Sequence, residues 1–450
     1  MRNLSSFRLA CVVGFGLLSS IPAQVWSQES TPAPRSTGLP PQVSWTFNLD
    51  AAWGAFGFQN SLYQDNRPDV SSNLDDNWFE GFVKPALSGS FALGTSEIYG
   101  AVSAVGERTY GAAPSLVGED ASSFKEEDLY IGWRSGKSVG PSENLIDLTV
   151  GRTQYKIGHG FLVWDGVSEG GSRGGFWSNA RKAWQFAAVG RLKPKNHTIE
   201  GFFLDRDELP EGDTESKIAG ANYEFAAGEH STFGVTYIRS FADGSLFPSR
   251  DGMNVIHARA YTAPLRRIRD LSFEVEYAYE ENGSLVKSTA WSAQGAYQLS
   301  SMAWKPKCSY RYAYFAGDDP GTSDNEAFDP LFLGFSDWGA WWQGEIAGEY
   351  FLSNSNNISH QLRVHLSPVE PLSCGVMGFL FQLPEPESFA PGVTSKDVAI
   401  ELDLYADWSI NDHFILSVIG AFADPQDALQ QAVNRTASLT YGMLYLAYSL

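Results

Sequence analysis

The chain has 450 residues, a formal net charge of −20, 14% aromatic residues, 44 glycines and only three cysteines. Such acidity excludes nucleic acid as a partner, and the cysteine spacing excludes a zinc site. No mature segment holds an unbroken run of 18 apolar residues, which excludes a membrane-spanning helix.

In chain order, Arg2 and Arg8 frame a basic start, and Leu9 to Ala23 is apolar. Val25 and Ser27 then suit cleavage before Gln28, so residues 1–27 read as a signal peptide. Arg8 stands where a lipoprotein signal built on Cys11 would need an apolar residue. Residues 28–41 form a Pro- and Ser-rich tether expected to be disordered.

From residue 42 to 450 the sequence alternates. Val43, Trp45, Phe47, Leu49, Ala51 and Trp53 interleave with Ser44, Thr46, Asn48 and Asp50. Comparable dyads follow at Phe79–Leu93, Leu271–Tyr279, Trp304–Tyr314 and Val398–Trp408, and the last runs through Leu444, Leu446, Tyr448 and Leu450. Segments of about ten residues, apolar on one side and polar on the other, predict an all-β fold, a transmembrane antiparallel β-barrel. Trp45, Trp53, Trp304, Tyr314, Trp342, Tyr350 and Trp408 fall near segment ends, where aromatic girdles belong. Long polar connections at 60–75, 108–124, 154–180 and 317–337 contrast with short ones at 94–96, 193–196 and 354–357. This asymmetry separates outer loops from periplasmic turns and argues against a β-sandwich. About nineteen segments can be drawn. An even number is required if both ends are periplasmic, so eighteen strands are expected, with the surplus one placed between Asn357 and Arg435. Cys308 and Cys374 read as unpaired thiols on apolar faces.

Two stretches stand out. Tyr314–Tyr350 reads YFAGDDPGTSDNEAFDPLFLGFSDWGAWWQGEIAGEY, an acidic loop leading into an apparent strand with Glu345 and Glu349 on its polar face. Four residues apart on a strand, those acids would stand about 13 Å from each other, too far for a glycosidase pair. Gly151–Phe186 reads GRTQYKIGHGFLVWDGVSEGGSRGGFWSNARKAWQF, with glycines that allow it to fold inward. Its Gly166–Gly170 run matches a nucleophile elbow only formally, because no helix-forming sequence follows. No enzymatic activity is expected.

The GlyAspAsp, Phe328-Asp329-Pro330-Leu331 and TrpGlyAlaTrpTrp runs of the first stretch, with the GlyArg, ArgGly and AlaArgLys of the second, resemble the alginate-export family of outer-membrane channels. That resemblance implies a monomeric eighteen-stranded channel passing an anionic polysaccharide, in contact with lipid, lipopolysaccharide and periplasmic export proteins. It also implies a gating periplasmic loop, for which Leu383–Lys396 is the candidate. The alternative is a general or substrate-specific porin for small solutes or oligosaccharides.

Candidate pathway residues are Lys305, Lys307 and Arg311 on one polar face, Arg363 on another, and Arg259 on a further strand. Arg152, Lys156, Arg173 and Arg181 flank the Gly-rich stretch, and Glu345 and Glu349 supply acids. Guanidinium forks suit carboxylates, and conduction requires several moderate sites. Arg152 with Asp165 is the expected constriction pair. No cofactor is called for. Asp318, Asp319, Asp324, Glu326 and Asp329 offer oxygens to Ca²⁺ but lack the EF-hand pattern, so they read as surface acids meeting water or lipopolysaccharide-bound cations.

Overall fold

A computed structural model describes residues 43–61, 76–113, 120–178, 180–263, 270–334 and 344–450. The signal peptide over 1–27, the tether over 28–41 and the Trp338–Trp342 cluster lie outside these residues. The described strands are β1 (Val43–Gln59), β2 (Asp76–Leu93), β3 (Ser96–Gly111), β4 (Ser122–Arg134), β5 (Ile146–Thr153) and β6 (Trp184–Leu192). They continue as β7 (His197–Asp205), β8 (Lys217–Ala226), β9 (Ser231–Phe241), β10 (Asn254–Thr262), β11 (Leu271–Glu281) and β12 (Lys287–Gln298). The remainder are β13 (Lys307–Phe315), β14 (Asn357–Val369), β15 (Leu372–Gln382), β16 (Asp397–Ser409), β17 (Phe414–Pro425) and β18 (Leu439–Ser449).

Each strand pairs antiparallel with the next, and β18 pairs with β1 from Asp50↔Ser449 to Gln59↔Thr440. The eighteen-stranded sheet is therefore closed. Closure gives every strand two neighbours, which lets backbone polar groups stand at membrane depth without water. The dyad pattern settles which face looks out. Trp45, Trp53, Phe79, Tyr237, Leu402, Leu444 and Trp408 are exposed on the outer face, while Glu80, Thr236, Asp403 and Tyr445 are buried inside. A closed antiparallel barrel with this apolar exterior is an outer-membrane protein. The free Cys308 is also exposed, and Cys374 is free and partly exposed.

Leu444 sits mid-strand, opposite Ala55 of β1 and Val418 of β17. Arginine there would meet hydrocarbon. Leu444→Arg is expected to cost about 2–4 kcal/mol of barrel stability, measured as the shift of the urea midpoint for folding into lipid vesicles.

The connections divide by end. Gly94–Thr95 joins β2 to β3, and residues 370–371 join β14 to β15, at the same end as both chain termini of the wall. The long connections 154–183 and 316–356 lie at the opposite, outer end. Residues 383–396 join β15 to β16 at that outer end too, so Leu383–Lys396 is no periplasmic gate.

The surplus strand is not between Asn357 and Arg435, where β14 to β17 all form. It is the apparent strand ending at Tyr350. Gly344–Gly348 is a single π-helical turn, with Glu345, Ile346 and Ala347 buried. Gly344 has φ of 75°, and a Cβ there would come within 2.6 Å of the Glu401 carboxylate. The apolar dyad Ile346, Gly348, Tyr350 thus marks packing against the inside of the wall. Tyr350, 3% exposed, belongs to no girdle, and Glu345 and Glu349 are not wall residues.

Candidate functional site

Two outer connections fold into the bore, and the first crosses it. In the first, Phe161, Leu162 and Val163 pack with Trp184, Phe202, Leu204, Ile238 and Phe315, the inward faces of β6 to β13. Further along, Phe176 and Trp177 pack against Phe56 and Trp78 on β1 and β2 and against Tyr441 and Tyr445 on β18. Trp177 lies 5.1 Å from the Tyr445 ring and 5.3 Å from Phe56. Between the two contacts stands one helical turn, α1 (Gly170–Arg173). Gly166 passes so close to the wall that a Cβ would meet the Trp184 backbone nitrogen at 2.6 Å.

The second connection reaches the same two walls on either side of residues 335–343, which lie outside the described residues. Phe328, Leu331 and Phe332 join the cluster on β6 to β13, and Ile346, Ala347 and Tyr350 join the one on β1, β2 and β15 to β18. The two segments are also bonded to each other. Phe332 N–H donates to the Leu162 carbonyl at 2.9 Å, Trp164 N–H to the Phe332 carbonyl at 2.8 Å, and Gly334 N–H to the Gly160 carbonyl at 2.8 Å. Buried apolar side chains facing both walls hold the pair in place and exclude water from the crossing.

An arginine cluster surrounds one acid that the sequence reading did not select. Asp207, in the β7–β8 connection, accepts from Arg152, from Arg181 at 2.8 Å and from Arg173 at 3.3 Å. Its backbone N–H donates to the Gly166 carbonyl at 2.7 Å, and its carbonyl accepts from Ser168 at 3.0 Å. Arg181 also stands 3.5 Å from Glu127 on β4. The expected Arg152–Asp165 pair is therefore corrected: Arg152 is held by Asp207, and Asp165 faces Lys182 at 3.4 Å. Arg152, Arg173 and Arg181 are buried. Nearby, Arg206 lies over the Phe332 ring at 5.1 Å, and burial pulls its pKa below the usual value.

Other expected residues sit elsewhere. Arg259 is buried on β10 and donates to Glu224 at 2.5 Å, Asn222 at 2.7 Å and Thr236 at 2.9 Å. Lys156 stays exposed on the first segment, its ammonium 4.4 Å from the Trp164 ring centroid. Beside it His159 stacks on Tyr261 at 4.0 Å and stands 3.4 Å from Glu274. Lys307, Arg311 and Arg363 face inward on β13 and β14, in register with His365, Gln361 and Ser309 respectively. Arg311 donates to Gln294 at 3.1 Å, and Arg363 to the Tyr405 hydroxyl at 2.9 Å. Lys305 is exposed in the β12–β13 turn, below this group. In the acidic loop, Asp329 is bound by the Nε and Nη2 of Arg250 at 2.6 and 2.5 Å, so it faces inward and not a surface cation.

The structure thus separates cations locked in the crossing segments from cations on the lower wall. His159, Glu274 and Asp207 escaped sequence reading for one reason. Their partners lie far along the chain, at Tyr261 for His159 and at Arg152 for Asp207.

No protein-family model matches the sequence, and no curated protein does. Solved structures do resemble the fold. A BenF-like porin from Pseudomonas fluorescens Pf-5 aligns over 90% of this chain and 98% of its own, with TM-score 0.58 and 11% identity. OccAB1 of Acinetobacter baumannii aligns over 90% and 96%, with TM-score 0.56 and 10% identity. The outer membrane protein OprD of Pseudomonas aeruginosa aligns over 90% and 93%, with TM-score 0.55 and 16% identity. The resemblance to alginate-export channels is overturned by these neighbours. The residues that carried it, Gly151–Phe186 and Tyr314–Tyr350, build the crossing segments where they are described.

Proposed function

We propose that the protein is a porin for small polar solutes, with passage narrowed by the two crossing segments. The observation that carries this reading is the filling of the outer bore by buried side chains from both segments, anchored on opposite walls. A polymer threading the barrel would have to displace that packing, whereas small molecules pass beside it. The comparison with a BenF-like porin and with OprD supports the same reading. On the solute's way past the segments, Lys156, Lys307, Arg311 and Arg363 offer positive charge, and Glu274 with His159 offers mixed character. Several weak contacts of this kind attract an anion without retaining it. Transport is passive, and no chemistry is performed on the solute.

Liposome swelling tests the proposal. Vesicles bearing the purified full chain should admit small organic acids and monosaccharides, and polyuronate should neither enter nor block. Blockade by polyuronate, or swelling no faster than in protein-free vesicles, would overturn it.

A further inference from the structure

Three carboxylates on the inner wall each accept two successive backbone N–H groups from the inward segments. Glu80 on β2 accepts the backbone N–H of Trp177 at 2.9 Å and of Ser178 at 2.8 Å. Glu127 on β4 accepts those of Lys182 at 2.7 Å and Ala183 at 2.9 Å. Glu401 on β16 accepts those of Ile346 at 2.7 Å and Ala347 at 2.8 Å. All three are buried, and in each case the donors are successive residues of a crossing segment. A carboxylate is suited to this because it accepts at both oxygens. At Glu80 and Glu401 the donors reach both oxygens, so glutamine would aim an NH₂ group at one of them, whereas at Glu127 both N–H groups reach Oε1.

We propose that Glu80, Glu127 and Glu401 are positioning residues that clamp the crossing segments and so set the aperture, and that the clamp at Glu401 yields when the acids beside it ionise. The inference rests on the small-solute channel reading and adds its control.

The surroundings of the three clamps differ. Glu127 has Arg181 at 3.5 Å and Lys84 at 4.0 Å to balance its charge. At Glu401 the neighbours are acidic or neutral. The segment itself contributes Glu345, Glu349 and Tyr350, β16 contributes Asp403, β18 contributes Tyr441 and Tyr445, and β2 contributes Glu80. From β17 the packed residues are Ile419, Ala421 and Ala423, and from β1 they are Phe56 and Phe58. The first segment supplies Trp177, Ser178 and one cation, Lys182, which acts on Glu349. Among the described residues, the Glu349 Oε1 and Tyr445 Oη atoms are buried without a hydrogen-bond partner. Burial and then the Glu401 charge push Glu345 up to about 8, and burial with Glu345 and Glu80 raises Glu349 well above the carboxylate range. Undocked, both acids return to the ordinary value near 4.5. Docking therefore favours the protonated acids. For Glu345 that contribution is complete below the ordinary value and is lost as pH climbs through about 8.

The test uses the full chain in planar bilayers. Wild-type conductance should rise severalfold between about pH 6 and about pH 9, where docked Glu345 ionises. The Glu345→Gln/Glu349→Gln variant should flatten that profile. Glu80→Gln, Glu127→Ala and Glu401→Gln should conduct more at every pH and lose discrimination between small and large solutes, with partial recovery in Glu401→Asp. A heat-modifiable band on gels would verify that each variant barrel is closed, and the wild-type profile needs no variant. A pH-independent wild type, or clamp variants indistinguishable from it, would overturn the clamp and leave the channel reading intact. A wild type that forms no channel would overturn both.

Discussion

Asp207→Asn is expected to raise unit conductance severalfold, add current noise and move selectivity toward anions. Asp207 is the shared acceptor of Arg152, Arg173 and Arg181, each drawn from chain that borders or forms the first crossing segment. Neutralising it leaves three guanidinium groups close together in a buried site. Breaking a buried pair by removing one partner costs about 3–5 kcal/mol, because the remaining charge is neither solvated nor compensated. Here the remaining charges also repel one another. The wall absorbs little of that cost, since its backbone ladders do not depend on Asp207. The segment has the freedom to respond, so strain is released by its displacement into a wetter position. Single-channel recording in planar bilayers measures the effect. Conductance and noise equal to wild type would show that the arginines hold the segment without their common acid.

The second large effect concerns charge on the lower wall. Lys307→Glu/Arg311→Glu/Arg363→Glu should reverse any anion preference, read as a change of sign in the reversal potential under a salt gradient. The three side chains project from adjacent strands, Lys307 and Arg311 on β13 and Arg363 opposite Ser309 on β14. The reversal should be largest in dilute salt, because screening at 0.1 M limits each charge to about 10 Å. Lys305→Glu provides the contrast. It lies exposed in the turn beneath the strand and should move the reversal potential much less. An unchanged potential in the triple variant would remove these residues from the permeation path.

The wall was legible because strand alternation is a local property. Leu271 to Tyr279 or Val398 to Trp408 declare their two faces within a few residues, and the closed barrel follows once those faces recur. The bore was not legible in the same way. A segment that crosses it packs one side against the wall, so Ile346, Gly348 and Tyr350 imitate a strand dyad while forming a helical turn. Periodicity reports that a side chain is buried and leaves open whether lipid or protein covers it. The ion pairs were hidden by distance along the chain. Arg152 and Asp165 looked like partners because they are near in sequence, yet Asp207 reaches Arg152 from another connection through its pairing beside Gly166 and Ser168. Strand alternation places the cations of β13 and β14 on common faces.

The aromatic contacts around Trp177 and Tyr350 have a bearing on assembly. Phe56 and Phe58 belong to the first strand of the wall, Tyr441 and Tyr445 to the last, and these two strands meet only when the cylinder closes. Tyr350 lies 4.6 Å from Phe58 and 6.0 Å from Tyr441, and Trp177 touches both Phe56 and Tyr445. The seam and the seat of the inward segments are therefore one structure. Reciprocity of coupled equilibria requires that whatever favours seating favours closure to the same degree. A chain whose segments stayed outside would join its first and last strands by the backbone ladder and direct contacts such as Phe58 on Tyr441, without the wedge that grips the seam from within.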